Sequence, residues 1–164
     1  MNRLILVRHG KAENESASGG DFDRRLTPRG VRQSAQMAER LAELGLAPSL
    51  ALVSPAARAR ETWAAMQAWF PATQASFEPR LYNAEAGGVR QIAEQSGPIA
   101  GAVMVVAHNP GLQDLTVDLL REGKAPADLI AQAQRQFPPA AASVFLVDDQ
   151  GRPAFDGLMI PRSD

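Results

Sequence analysis

Short apolar runs alternate with stretches whose apolar residues recur at helical spacing. Leu4-Ile5-Leu6-Val7, Leu50-Ala51-Leu52-Val53 and Ala102–Ala107 are unbroken apolar runs. That pattern belongs to strands buried on both faces, where side chains have no solvent side to turn polar. A weaker strand fits Ala75–Glu78. Between the runs the period lengthens. Thr27-Pro28 reads as an N-cap and a first-turn proline, and Val31, Ala35, Ala38 and Leu41 then mark one helical face until Gly45 stops it. Ala59, Trp63, Met66 and Phe70 share a face of a second helix that ends at Pro71, and Trp69 is assigned with them to helix packing. Gly88–Gln95 fits a third helix, and Leu112, Leu115, Leu119 and Leu120 are the inward face of a fourth. Asp128–Gln136 fits a fifth, broken by Phe137-Pro138-Pro139. Ser143–Val147 and Ala154–Ile160 flank Asp148-Asp149-Gln150-Gly151 as a hairpin. Residues 11–26 are polar, aperiodic and glycine-containing, a loop long enough to imply a function.

Alternation of buried strands with amphipathic helices predicts an α/β three-layer sandwich. Its central sheet is mostly parallel, helices cover both faces, and the C-terminal antiparallel hairpin lies at the edge. With 164 residues and no linker-like tract or repeat, one domain over residues 1–164 is expected.

Composition narrows the chemistry. A net charge of −1 gives no strong field for nucleic acid or an anionic membrane. No apolar run approaches a membrane span, and the first strand begins too early for a secretory leader, so a cytoplasmic protein is expected. The chain has no cysteine, which removes disulfides, thiolate metal sites and any cysteine nucleophile.

Each of the three clearest strands runs directly into a polar residue and a glycine or proline: Arg8-His9-Gly10, Ser54-Pro55 and His108-Asn109-Pro110. In an open α/β sheet these turns share the end where ligands bind. They would bring Arg8, His9, Ser54, Arg58, His108 and Asn109 to one crevice, where helix N-termini add positive potential. Both histidines of the protein belong to this set. Arginine forks match phosphate oxygens, so Arg8 and Arg58 could clamp a phosphoryl group from two sides. A neutral imidazole is a competent nucleophile near pH 7. His9, between the arginine and the Gly10 turn, is the better candidate, with His108 as a donor to the equatorial oxygens. Gly10 is expected to let the backbone turn sharply or approach the ligand. Other phosphoryl-transfer designs fit poorly: Gly123-Lys124 lacks the surrounding P-loop pattern, and arginines beside Asp21, Asp23 or Glu85 would repel a cation. Neither metal nor cofactor is expected.

These motifs resemble the histidine phosphatase superfamily, the phosphoglycerate mutase-like proteins. The resemblance rests on Arg8-His9-Gly10, on Ser54-Pro55-Ala56-Ala57-Arg58-Ala59 with Thr62, and on His108 after the fourth strand. It is most detailed toward the SixA-type phosphohistidine phosphatases, through Arg8-His9-Gly10-Lys11-Ala12, Asp23-Arg24-Arg25-Leu26-Thr27-Pro28-Arg29-Gly30 and His108-Asn109-Pro110. It implies a phosphohistidine intermediate on His9, with Arg8, Arg58 and His108 completing a phosphate pocket without a metal; Asn109 and Gly10, placed in the same crevice by the strand-end turns, are expected to bind substrate there. Larger members carry a proton-donating glutamate and a lid. Here the corresponding zone offers Glu85, out of the usual pattern, and Ala86–Gly101 leaves little room for a lid. Glu13, Asp21 and Asp23 are alternative acids. The expected reaction is hydrolysis of phosphohistidine on a protein, such as a phosphotransfer domain. The alternatives are a phosphatase for a small phosphate ester, or a phosphate-binding module without catalysis.

Overall fold

The computed structural model describes residues 1–96, 98 and 101–163. Six strands form one sheet in the order β3-β2-β4-β1-β5-β6. They are β1 (Arg3–Arg8), β2 (Leu50–Val53), β3 (Gln74–Phe77), β4 (Ala102–Ala107), β5 (Ala142–Val147) and β6 (Pro153–Met159). The first four are mutually parallel, whereas β5 runs antiparallel to β1, and β6 to β5. This is the predicted α/β sheet with its antiparallel C-terminal edge.

Alternation along the buried strands explains the three layers. Leu4 and Leu6 of β1, with Val103 and Val105 of β4, pack under α3 (Ala86–Ser96), α4 (Gly111–Glu122) and α5 (Ala127–Arg135). Ile5, Val7, Met104 and Val106 point the other way, against α1 (Pro28–Glu43) and α2 (Ala57–Met66). Both faces of β1 and β4 are therefore dry, which is why their sequences show no polar alternation. β3 is the exposed edge, and its weaker pattern reflects that position.

Several boundaries differ from expectation for local reasons. The buried stripe of α1 is Gly30, Ser34, Met37, Ala38 and Leu41, whereas Val31 is exposed. The stripe is set by the first turn of α1, which docks on the chain just after β1. A Cβ on Gly30 would strike the backbone of Lys11, and one on Gly10 would lie 2.7 Å from both the Gly30 carbonyl and Ser34 Oγ. Gly10 thus serves close approach to a helix. The second helix ends at Met66 and tightens into a 3₁₀ turn over Gln67–Trp69, which leaves Trp69 partly exposed instead of in the core. Neither Ser54 nor Asn109 is an N-cap: the caps are Ala56 and Pro110, so each proline precedes its helix. A residue before proline is driven toward extended backbone, which delays the helix start.

Alanine usually stabilises a helix relative to glycine, but Gly30→Ala should lower stability by about 1–3 kcal/mol through the forced clash with Lys11. Urea unfolding checks this, and an unchanged or raised midpoint would contradict the packing of α1 on the β1 turn.

Candidate active site

Register places the chemistry. Arg8 of β1 lies opposite Ala107 of β4, and Val53 of β2 opposite Val106. The residues that follow, His9, Ser54 and His108, therefore emerge together from the same edge of the sheet. The His9 N–H donates to the Ala107 carbonyl at 3.0 Å, and the Ser54 N–H to Val106 at 2.9 Å. The two imidazoles are buried, with ring centroids 5.2 Å apart. The predicted convergence of segments distant in sequence is present.

Each imidazole is held by one ring nitrogen. His9 Nδ1 lies 2.7 Å from the Gly10 carbonyl oxygen. A carbonyl can only accept, so Nδ1 carries the proton and Nε2 keeps its lone pair. Gly10 is itself fixed, because its N–H donates to Thr62 Oγ1 at 2.9 Å while Thr62 donates to the Arg58 carbonyl. Gly10 therefore positions His9; its amide is not free for a substrate. His108 Nε2 shares a 2.7 Å hydrogen bond with Ser54 Oγ.

The guanidinium groups are arranged around the rings. Arg58 is 6 % exposed. Its Nη1 donates to the Asp21 carbonyl at 2.8 Å and its Nη2 to Asp21 Oδ2 at 3.1 Å. Arg8 Nη1 donates to the Phe137 carbonyl at 3.0 Å. Four buried side-chain nitrogens have no hydrogen-bond partner among the described residues, and three of them are Arg8 Nε, Arg58 Nε and His108 Nδ1. A buried donor without a partner costs roughly 1–3 kcal/mol. Arg8 Nε and Arg58 Nε are donors in any state, and His108 Nδ1 joins them in the tautomer whose Nε2 accepts from Ser54, so this end of the sheet holds unpartnered nitrogens that an anion would satisfy.

Burial is the main cause that pushes the pKa of His9 down to about 3 and that of His108 down to about 4; the neighbouring Arg58 and Arg8 lower both further. Arg8 is also lowered, by burial and then by Arg58. Both imidazoles are thus neutral at pH 7, the state a nucleophile requires.

The carboxylate that reaches the crevice is Asp21, in a 3₁₀ turn over Asp21–Asp23 within the long loop. Besides Arg58 it accepts from the Tyr82 hydroxyl at 2.6 Å and from Arg24 Nε at 3.0 Å. Those donors, Tyr82 foremost, hold its pKa well below the ordinary carboxylate range. Asp21 is therefore a fixed anion and not an acid. Glu85 is exposed, bonds to none of these crevice side chains among the described residues, and borders a cavity of about 620 Å³ with Pro110, Gln113 and Asp114. Glu13 and Asp23 are also exposed, and the Asp23 carboxylate accepts from Ser18. Asn109 is spent as a brace: its Nδ2 donates to the Phe137 carbonyl and its Oδ1 accepts from the Gln113 N–H.

Three contributors have roles that the sequence did not assign them. Thr62, named only as part of the motif, anchors Gly10. Phe137, in a stretch read only as a helix breaker, offers the carbonyl that holds both Arg8 and Asn109. Tyr82, the single tyrosine, reads as loop but bonds Asp21 and sets its ring edge-on to His108 at 5.7 Å. Phe22 packs edge-on to Tyr82 at 5.1 Å, which completes a line of rings from the surface to His9. Among the described residues no group of three His, Asp or Glu side chains could hold a metal ion, and no helix is long and apolar enough to cross a membrane.

Two buried imidazoles among arginines at the end of a parallel sheet point to a class, and comparison with known proteins agrees. Residues 4–97 match the profile of the histidine phosphatase superfamily (branch 1), and the chain belongs to that superfamily. An uncharacterised chloroplast protein of Arabidopsis thaliana is 30% identical over 171 residues, covering 98% of this chain and 78% of its own. Among solved structures, a candidate phosphohistidine phosphatase, SixA of Agrobacterium tumefaciens, superposes with a TM-score of 0.85 at 27% identity and covers 98% of both chains. The protein histidine phosphatase SixA complexed with tungstate shares the fold, with a TM-score of 0.75 at 24% identity over 97% of both chains.

The two depressed imidazoles set a pH dependence. The unfolded chain gains protons on them below about pH 6.5, whereas the folded chain resists until about pH 4 and 3. Folded stability should therefore be full above pH 6.5 and fall on acidification toward pH 4. Because the chain has two histidines, NMR titration of their rings checks this directly: neither should show a midpoint above about pH 5. A midpoint near 6.5 would contradict their burial as neutral groups.

Proposed function

We propose that the protein is a phosphatase that hydrolyses phosphohistidine on another protein through a phosphohistidine formed on His9. The observation that carries this reading is the set of buried, unpartnered nitrogens, Arg8 Nε, Arg58 Nε and His108 Nδ1, near an imidazole whose Nδ1 is already committed to Gly10. Phosphoryl transfer asks little of a protein beyond positioning and charge stabilisation, and those are the properties of this crevice.

In the first step His9 Nε2 attacks phosphorus and the bond to the leaving nitrogen breaks, its electron pair going to the departing ring. Arg8 and Arg58 meet the charge on the phosphoryl oxygens. Beside a bound anion, the favoured tautomer of His108 has Ser54 donating to Nε2, so that Nδ1–H faces the phosphate. Water then attacks the phosphoryl group on His9, releases inorganic phosphate and restores the imidazole.

Two features support a protein-borne phosphoimidazole over a small ester. Only residues 78–85 connect β3 to α3 at the crevice end of the sheet, too short a length for an inserted lid, which keeps the approach open to a side chain on another protein. The carboxylate bonded into the crevice is held ionised, so no carboxylic acid stands ready for an alkoxide leaving group. The SixA likeness points the same way.

Turnover of a phosphohistidine-bearing protein should exceed that of alkyl phosphate esters, and His9→Ala should abolish it, by on the order of 10³-fold or more. Phosphate-release assays on both substrates check this. Preferential cleavage of small esters would overturn the substrate, and activity in His9→Ala would overturn the mechanism.

A further inference from the structure

We propose that Asp21 selects a phosphorylated imidazole: its carboxylate receives the free ring N–H of the substrate's phosphohistidine and keeps that ring protonated while the P–N bond breaks. The inference rests on the reaction proposed above and names what in this chain favours that leaving group.

Asp21 stands at the boundary between crevice and solvent. Its side chain is 52% exposed, yet it pairs with Arg58, whose side chain is 7% exposed. Oδ2 accepts from Arg58 Nη2 and the Tyr82 hydroxyl, whereas among the described residues Oδ1 accepts from Arg24 Nε alone. An ionised carboxylate has about four lone-pair sites, so Oδ1 keeps capacity for a further donor. The line of rings leads past this point. Phe22 is partly exposed and packs on Tyr82, Tyr82 packs on His108, and His108 adjoins His9. A flat heterocycle following that wall to His9 passes the carboxylate that Tyr82 holds.

The electron balance says why a fixed anion is useful there. When His9 Nε2 forms its bond to phosphorus, the pair of the broken P–N bond stays on the departing ring nitrogen. If the other ring nitrogen bears a proton, the group leaves as neutral imidazole and needs no acid. If it does not, imidazolate must leave, a far poorer leaving group. A carboxylate that accepts from that N–H favours the cationic, reactive form of the substrate. An alkyl ester gains nothing from the same contact, because its oxygen must receive a proton that ionised Asp21 does not carry. The charged and titratable groups facing Asp21 are Arg24 from its own loop, Arg58 from α2, and Tyr82 and His108 across the crevice. The first three donate to it and keep it an anion at neutral pH, whereas His108 is neutral there.

The test compares phosphohistidine with p-nitrophenyl phosphate, whose leaving group departs without a proton, in the wild type and in Asp21→Asn. The ratio of kcat/KM for phosphohistidine to that for p-nitrophenyl phosphate should fall by about tenfold or more in the variant. The alkaline limb of the phosphohistidine kcat profile should also move to lower pH, because the bound ring loses its proton more easily. Equal losses on both substrates with an unmoved limb would show that Asp21 only positions Arg58, and would overturn the proposal. So would a variant with an unchanged ratio. Failure of the substrate reading is visible separately, as a wild type that cleaves phosphohistidine no better than alkyl esters.

Discussion

Two guanidinium groups and two imidazoles held out of water at one edge of a sheet repel one another and forgo hydration. Arg58 and Arg8 each depress both histidines, and Arg58 depresses Arg8. The protein tolerates this in two ways. Both imidazoles give up their protons, and one anion, Asp21, is brought from the loop onto the outer side of Arg58. What stays uncompensated are the unpartnered nitrogens Arg8 Nε, Arg58 Nε and His108 Nδ1. In the function proposed above one cause, the desolvation of a cationic crevice, gives both affinity for a phosphoryl group and a neutral His9 imidazole able to attack.

The frame that enforces this is rigid. β1 and β4 are buried on both faces, and their parallel register fixes where His9 and His108 emerge. The turn after β1 is then gripped from three directions. Gly10 meets α1 too closely for any side chain, Thr62 of α2 takes its N–H, and the Ala140 N–H donates to the carbonyls of Arg8 and His9. The proposed phosphoryl transfer depends on alignment, and these contacts hold the backbone of His9 in place.

The sheet, its edge hairpin and the four basic groups were legible in the sequence because they follow from short-range rules. Uninterrupted apolar runs mark strands that are buried on both faces, and the residue after such a strand must emerge at its end. Arg8, His9 and His108 could be placed that way, and Arg58 by its position in the turn that follows. What was not legible is contact across the crevice. Asp21, Asp23, Glu13 and Glu85 look alike as carboxylates near arginines, and only the docking of the 11–26 loop on α2 separates Asp21 from the others. The buried stripe of α1 shifted because a glycine contact, invisible to hydrophobic periodicity, fixes its first turn. Asn109, Thr62 and Phe137 are read as ligand, motif member and breaker, yet each forms a hydrogen bond that orders the site through backbone atoms that no side-chain pattern reports.

The central claim is that His9 Nε2 bonds covalently to phosphorus within this crevice, and rapid quench of a single turnover with ³²P-labelled substrate tests it most directly. The account predicts acid-labile, alkali-stable label on the protein, mapped to the His9 peptide and absent from His9→Ala. Turnover with no labelled protein at any quench time, or label on His108 instead, would contradict it.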